Sequence, residues 1–349
     1  MTQPQSSELG NNSYSFFGPI GMAFYEDGNA LDEADSVKIV LSIILGIIMV
    51  LSIVGNGCTC AVIARDRTMR TPTNCYLFNL AITDLLFALF IPIEIYIIWC
   101  PDLYPLGEAG CLLHFLLYDC LCNCSALTIS AFTIERYLVV SKPFLRQKLS
   151  LKSRVFKILC IIWTISFSFC IPDLFNIDLL EKKKYVYCYV TMSYPMKVLL
   201  GVEQFVFFVM PMTVIFVLYV LIAIKLKKAN LKLRNSPVNG KQHRDKAVKM
   251  LAAVAASFFF CWSPYCLLRI MVIHSEFKYE DYYIAWRIVN YMCYSSYLCS
   301  VINPILYSLM SHKFRQAFKD FLKGRSRTQI DSKRRDSSGP WSKTERTGA

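Results

Sequence analysis

The sequence has few charged residues and no paired CxxC motifs. Only 18% of its 349 residues are charged, whereas 55% are hydrophobic, and the mean hydropathy is positive. A soluble domain of this size needs more charged surface, so the composition favours a membrane protein. Most of the 15 cysteines stand within apolar runs, where a free thiol behaves as a small hydrophobic group. Without paired CxxC spacing, a bound zinc ion is not expected.

Lysine and arginine are absent before Lys38, although six acidic residues lie in that stretch. The net charge of +13 comes instead from short stretches at 65–70, 142–154 and 225–249 and from the C-terminal end. Such clusters are typical of the inner face of a membrane protein, so a nucleic-acid partner is not expected. The positive-inside rule places the N-terminus on the extracellular side of the plasma membrane and the C-terminus on the cytoplasmic side, which requires an odd number of spans. No basic-then-apolar signal peptide opens the chain, so we expect the first span to direct insertion.

Seven apolar runs are long enough to cross the hydrocarbon core, which takes about 20 helical residues. Each must be a helix, because lipid offers no partner for unpaired backbone groups, and central prolines predict kinks. The predicted fold is an all-α membrane protein, a seven-transmembrane helix bundle with a C-terminal amphipathic interfacial helix. The predicted spans are 38–64, 74–99, 110–140, 155–173, 196–226, 247–273 and 283–309, and the prolines are Pro92, Pro172, Pro211, Pro264 and Pro304.

The ends of the chain differ from the predicted helix bundle and its interfacial helix at 38–323. Residues 1–37 are predicted to form an extracellular tail, glycosylated at Asn11 within its Asn-Asn-Ser sequon. Residues 312–323 place phenylalanines on one face and basic residues on much of the rest, which predicts an interfacial helix on the inner membrane lipids. The tail at 324–349 is polar and predicted to be disordered and cytoplasmic, and it lacks a cysteine for palmitoylation.

Polar motifs stand in every span, where polar groups are unfavourable and mark function by default. The alternative for any single one is that it only joins two helices. Together the motifs resemble those of the rhodopsin-like (class A) G-protein-coupled receptors, over about 38–323. They are Gly55-Asn56, Leu80-Ala81-Ile82-Thr83-Asp84, Glu135-Arg136-Tyr137, Trp163, Pro211 with Tyr219, Cys261-Trp262-Ser263-Pro264 and Asn303-Pro304-Ile305-Leu306-Tyr307.

The resemblance implies a switch that activates a heterotrimeric G protein. Arg136 would pair with Glu135 at rest and meet Tyr219, Tyr307 and the G protein after the sixth helix swings outward. A snorkelling interfacial arginine is the alternative for Arg136, and ordinary core packing is the alternative for Trp262. The implied switch residues are Glu135, Arg136, Tyr137, Tyr219, Phe258, Trp262, Pro264, Asn303, Pro304 and Tyr307.

One position departs from the family pattern. Some relatives carry an acid that faces Arg136, twenty residues before the proline of the sixth span, where this chain has Arg244. A cross-helix salt bridge is therefore not expected there unless Asp245 substitutes, and the resting state would be held less firmly.

The resemblance further implies an allosteric sodium site in the middle of the membrane. An isolated acid at this depth is unfavourable, and a plain interhelical hydrogen bond is the alternative explanation for it. No other cofactor is expected. The implied sodium ligands are Asp84, Ser125, Ser300 and Asn303.

A disulfide between Cys111 and Cys188 is also implied by the resemblance, and an oxidising compartment would preserve it. The stretch VYCYV at 186–190 alternates as a strand should, which suggests a hairpin over the pocket. The charge run at 182–184 is interpreted as solvated.

The positions of two tyrosines exclude two common ligand classes within the family. Retinal requires a lysine seven residues before the proline of the seventh-span motif, where Tyr297 stands. Amine receptors use an aspartate eighteen residues before Arg136, where Tyr118 stands.

The stretches at 70–86 and 91–99, the acid one residue past Tyr118, and Arg269, seven residues beyond Trp262, resemble those of the neuromedin U, pyrokinin and ghrelin receptor group. In that group the third-span acid is normally glutamate. Here it is Asp119, one methylene shorter, so a direct Asp119–Arg269 pair is expected to be looser or bridged by water. The resemblance implies an extracellular, amidated peptide ligand and Gq-type coupling. The alternative ligand is an unrelated peptide or a small lipid. The alternative role of Glu94 is only to cap or solvate the outer end of its helix. The implied pocket residues are Glu94, Tyr118, Asp119, Trp262, Tyr265 and Arg269.

Other classes of membrane protein fit less well. The chain shows no internal repeat, which argues against a secondary transporter. Its four histidines are scattered, so neither an enzyme nor a catalytic metal site is expected. Serines and threonines between 326 and 344 are available to receptor kinases and, after phosphorylation, to arrestin.

Overall fold

The computed structural model describes most of the chain between residues 34 and 319, together with three short N-terminal strands. The described residues are 16–17, 25–26, 29–30, 34–66, 69–141, 152–182, 185–191, 193–232, 239–273, 288–289, 291–310, 314–316 and 318–319. The predictions for Asn11 and for the tail at 324–349 lie outside these residues. So does most of the interfacial helix, of which residues 314–316 and 318–319 are helical.

Nine helices form the bundle within the described residues, and the second and fifth spans are each divided in two. The first span is α1, the second α2 and α3, the third α4, the fourth α5, the fifth α6 and α7, the sixth α8 and the seventh α9. Their bounds are α1 Asp35–Arg65, α2 Pro72–Ala88, α3 Ile91–Trp99, α4 Gly107–Ser141, α5 Lys152–Cys170, α6 Tyr194–Gln204, α7 Met210–Lys232, α8 Asn239–Ile273 and α9 Ser295–Met310.

The helices have the length and the apolar outer surface of membrane spans. Among the described residues, six spans are long and apolar enough to cross a bilayer, and α9 is a shorter helix of 16 residues. One face of α1 exposes large apolar side chains at helical spacing, which suits lipid rather than water. These are Val40, Ile43, Ile47, Val50 and Val54, each exposed by 55–58%. The protein is a seven-helix membrane bundle.

Two spans depart from a regular α-helix next to a proline, which has no N–H for the helical hydrogen-bond ladder. The fifth span contains a π-helical turn at Phe205–Val209, where the amide of Met210 bonds five residues back to Phe205. Pro211 follows at once and has no N–H for the carbonyl of Phe207. In the second span the amides of Leu89 and Phe90 bond three residues back, and α3 restarts just before Pro92.

One predicted proline position is wrong. Pro172 is not central to the fourth span: α5 ends at Cys170, and Pro172 opens a 3-10 turn at Pro172–Phe175, since proline cannot continue the helical ladder. The sixth helix begins at Asn239, before the predicted apolar span at 247–273.

A small sheet covers the outer end of the bundle. Strands β4 (Ile177–Lys182) and β5 (Tyr185–Val190) form the antiparallel hairpin that the alternating stretch predicted. The disulfide Cys111–Cys188 joins this hairpin to α4. The N-terminal strand β1 (Phe16–Phe17) adds to β5, which the sequence did not predict; β2 (Tyr25–Glu26) pairs with β3 (Asn29–Ala30).

Candidate ligand pocket and signalling switch

A buried arginine links the third, fifth and sixth spans. The Arg269 guanidinium contacts Asp119 (Nη1–Oδ1 3.3 Å) and Glu203 (Nη2–Oε2 2.7 Å). All three residues are buried, and a buried charge is stable only when it is paired and hydrogen-bonded. The Asp119–Arg269 contact is direct and, at 3.3 Å, longer than the 2.7 Å bond to Glu203, in agreement with the expectation of a looser pair.

Glu203 was not among the predicted site residues. It stands in the fifth span, eight residues before Pro211, and is only 1% exposed. An acid within an apolar run is itself a signal of function, and that signal could have identified it. Its partner could not be predicted from spacing, since the two residues lie 66 positions apart.

Tyr265 secures Asp119 from the sixth span. Its hydroxyl donates to Asp119 Oδ1 at 2.8 Å, and its ring lies under the Arg269 guanidinium at 5.6 Å. Asp119 therefore receives two donors from one face of the sixth helix. This arrangement allows the short aspartate side chain to reach its partners.

Glu94 lies in a second polar cluster between the second, third and seventh spans. The Tyr297 hydroxyl donates to its Oε1 at 3.4 Å, and His114 Nε2 lies 3.7 Å from the same atom. His114 Nδ1 is 3.1 Å from the Tyr104 hydroxyl. Glu94 is 1% exposed, so the alternative that it solvates the outer end of its helix is wrong.

Tyr118 connects the two polar clusters. Its ring centroid lies 6.4 Å from that of Tyr297, which bonds Glu94, and 5.6 Å from that of Tyr265, which bonds Asp119. Its hydroxyl shares a hydrogen bond with Ser296 at 3.0 Å. All the predicted pocket residues thus belong to one continuous group of contacts.

Trp262 forms the inner limit of this group. Its ring lies 6.1 Å from Tyr118 on the pocket side and 5.8 Å from Phe258 on the inner side. Below it, Ser295 donates to the carbonyl of Cys261 at 2.8 Å, in the turn before Pro264. Movement at Tyr118 can therefore reach the proline kink through direct packing.

Asp84 lies below Trp262 in the wall of a small cavity. Asn303 Nδ2 donates to its Oδ2 at 2.9 Å, while Asn303 Oδ1 is buried without a hydrogen-bond partner. The hydroxyls of Ser125 and Ser300 donate away from the cavity, so their lone pairs remain available to it. The cavity is lined by Leu80, Asp84, Phe87, Ser125, Ile129, Phe258, Trp262, Ser296, Cys299, Ser300 and Asn303. A carboxylate, an amide oxygen and hydroxyls form a donor set that fits a small hard cation.

At the inner end of the third span, Glu135 contacts two arginines. Arg154 Nη2 lies 2.7 Å from Glu135 Oε2, whereas Arg136 Nη2 lies 3.5 Å from Oε1. Arg154, from the fourth span, is not among the predicted switch residues and ends the basic stretch at 142–154. Arg136 also packs over the Phe132 ring at 5.6 Å, and its ion pair with the neighbouring acid is the longer of the two.

The remaining switch residues are only partly brought together. Lys225 lies over the Tyr137 ring at 4.9 Å, and the Tyr219 hydroxyl is buried without a hydrogen-bond partner. The side chains of Tyr307 and Arg244 lie outside the part that the structure describes. Pro304 packs against Gly55, where an added Cβ would lie 2.8 Å from Pro304 Cγ.

Comparison with known proteins gives this geometry a family. A sequence profile of the 7 transmembrane receptor (rhodopsin family) matches residues 55–307. The Pyrokinin-1 receptor of Drosophila melanogaster is 30% identical, over 86% of this chain and 85% of the relative. The human Neuromedin-U receptor 2 is 32% identical, over 81% and 71%, and the Thyrotropin-releasing hormone receptor of Gallus gallus is 33% identical, over 81% and 78%. This chain belongs to the rhodopsin family of seven-transmembrane receptors, in its neuropeptide receptor group.

Proposed function

We propose that the chain is a plasma-membrane receptor for an extracellular, C-terminally amidated neuropeptide that carries an arginine near its end. Relatives named for pyrokinin and neuromedin U support this class of ligand. The resemblance to their receptor group implies peptides that end in Pro-Arg-X-amide. The N-terminus would face outward and the C-terminus the cytoplasm, as the distribution of basic residues favours.

The observation that carries the proposal is the buried carboxyl group of Glu94. Among the described residues, no lysine or arginine forms an ion pair with it, and His114 is the one basic group within 4 Å. A charge in a desolvated cavity interacts more strongly with a counter-ion than a charge in water does. A guanidinium from the ligand would provide that counter-ion, and Arg269 would donate hydrogen bonds to carbonyl groups of the peptide.

An unrelated peptide is the second candidate ligand. The similarity to a receptor named for thyrotropin-releasing hormone favours it, since that relative is 33% identical. A small lipid is a weaker candidate, because Glu94, Asp119 and Glu203 give the pocket three buried acids.

Binding would be relayed to a G protein of the Gq type, with calcium release. Trp262 and Phe258 would transmit the movement to the kink at Pro264, and the sixth helix would then uncover Arg136. Receptor kinases would phosphorylate the C-terminal tail, and arrestin would bind it.

A calcium-mobilisation screen of amidated neuropeptides on cells that express the chain tests this function. Peptides that end in Pro-Arg-X-amide should trigger calcium release in these cells. The free-acid forms of the peptides should not, and untransfected cells should give no response to either form. An epitope at the N-terminus should be detected on intact cells. Activation by lipids alone, or an N-terminus inside the cell, contradicts the proposal.

The cavity beside Asp84 is further proposed to bind a sodium ion. Asp84, Ser125, Ser300 and Asn303 would hold it through oxygen atoms, and the ion would supply the positive charge that this acid requires at membrane depth. Occupation would favour one arrangement of the spans that carry these four residues, which would link the ion to signalling.

A further inference from the structure

Beside the pocket, three metal-ligating side chains converge at the outer ends of the fourth and fifth spans. Cys170 is the last residue of α5, Asp173 lies in the following 3-10 turn, and Glu203 stands near the end of α6. One donor atom from each lies within 4.8 Å of the other two. Their exposures are 0%, 4% and 1%, so the cluster is closed to bulk solvent.

Three of the four carboxyl oxygens in this cluster have no hydrogen-bond partner among the described residues. They are both oxygens of Asp173 and Oε1 of Glu203, all of them buried, whereas Oε2 of Glu203 is bonded to Arg269. An unsatisfied buried polar group is unfavourable by about 1–3 kcal/mol, and more when it is charged. Unpartnered carboxyl oxygens on two acids whose donor atoms lie within 4.8 Å of each other indicate that something else binds there.

Charge balance points to a cation. Arg269 contacts Asp119 and Glu203, and Asp173 is a third acid beside them, so two carboxylates would lack a counter-charge once a metal ion displaces their protons. A buried charge needs a counter-charge, and a divalent cation supplies two at once. A monovalent ion would leave one acid uncompensated.

The donor types select the metal. Calcium and magnesium take oxygen ligands, whereas zinc accepts a thiolate together with carboxylates. The thiol of Cys170 donates to the carbonyl of Ser166 at 3.1 Å and also lies within hydrogen-bonding reach of the Cys120 thiol. Loss of the Cys170 proton on metal binding would create the thiolate that a zinc ion requires.

We propose that Cys170, Asp173 and Glu203 form a zinc-binding site, with a fourth position left for water or a ligand group. The paired CxxC pattern that signals zinc in a sequence is absent here, because these ligands meet only through the fold. The site shares Glu203 with Arg269. Zinc at this carboxylate therefore weakens its hold on Arg269 and changes the peptide affinity of the neighbouring pocket, a consequence that rests on the proposed function.

Zinc binding to the purified full-length receptor in detergent, without peptide, tests the site. The wild type binds one Zn²⁺ per receptor at the cluster. Asp173→Asn keeps the size of the side chain, Cys170→Ser replaces the thiol by a hydroxyl of similar size, and each weakens binding by more than about tenfold. Cys160→Ser is the matched control, since Cys160 is an exposed free cysteine of the same helix, and it leaves binding unchanged.

Cobalt binding to the wild type provides a second measurement, which does not depend on whether the variants fold. Co²⁺ added to the wild type gives a thiolate-to-metal absorption band that excess Zn²⁺ removes. Absence of this band, or zinc affinity that is the same in wild type, Asp173→Asn and Cys170→Ser, overturns the proposal and leaves Asp173 as a protonated buried acid. Because no agonist is used, failure of the peptide screen does not affect this result.

Discussion

The side-chain amide of Asn56 donates a 2.8 Å hydrogen bond to the main-chain carbonyl of Ser300. Ser300 lies four residues before Pro304, which has no N–H to offer this carbonyl. The first span thus satisfies a group that the proline of the seventh span leaves free. The preceding residue, Gly55, lets the same proline approach, so the pair Gly55-Asn56 accommodates one kink in two ways.

Gly55→Ala is expected to lower the thermal stability of the receptor. The new Cβ would lie 2.8 Å from Pro304 Cγ, so the first and seventh spans must separate, at about 1–3 kcal/mol for an overpacked contact. Unfolding of the purified receptor in detergent measures the change. Gly57→Ala is the matched control, because nothing lies within 4 Å of its added Cβ. Equal melting temperatures for the two variants would contradict the close packing.

Much of this architecture could be predicted from the sequence, because lipid forces each apolar run into a helix and leaves few alternatives. The disulfide Cys111–Cys188 and the hairpin at 177–190 also appear as expected. The contacts of Glu203 and Arg154 could not be predicted, since they depend on how separate helices face each other. Pro172 was misplaced because an apolar run does not reveal where inside it the helix ends.

Glu94→Gln is expected to shift the peptide dose response to higher concentration by about an order of magnitude or more, the size of one lost buried charge contact. The amide keeps the shape of the side chain but removes the charge that would meet the ligand arginine. Calcium release measures the shift, at matched surface expression. Glu108→Gln serves as control, since Glu108 is an exposed acid at the outer end of the third span. An unchanged dose response for Glu94→Gln would refute its role.

Sodium is expected to raise the melting temperature of the receptor when it replaces potassium at constant ionic strength. A ligand that binds only the folded state stabilises it, by an amount that grows with the logarithm of the ligand concentration relative to its dissociation constant. Asp84→Asn should abolish the difference between the two salts, because the carboxylate is the charged member of the donor set. If the wild type melts at the same temperature in both salts, the cavity does not select sodium.

Arg154→Ala and Glu135→Gln are expected to change basal signalling in opposite directions. Arg154 holds Glu135 at 2.7 Å and thereby competes with Arg136, which lies at 3.5 Å. Without Arg154, Glu135 can bond Arg136 more closely and basal activity falls. Without the carboxylate, Arg136 is released and basal activity rises. Agonist-free second-messenger production, at equal surface expression, measures both, and the exposed Lys157→Ala is the control. A rise in basal signalling of the Arg154→Ala variant would show instead that Arg154 supports the resting state.

Arg136→Ala is expected to silence signalling while agonist binding and surface expression stay close to wild type. Arg136 lies at the inner end of the third span, apart from the pocket residues around Tyr118, so its loss does not touch the ligand. The guanidinium lies over the ring of the buried Phe132, and 23% of the Arg136 side chain is exposed. Radioligand binding and G-protein activation on the same membranes separate the two functions. Normal activation by this variant would remove the arginine from the path between the outer pocket and the G protein, and loss of binding together with expression would assign it a structural role instead.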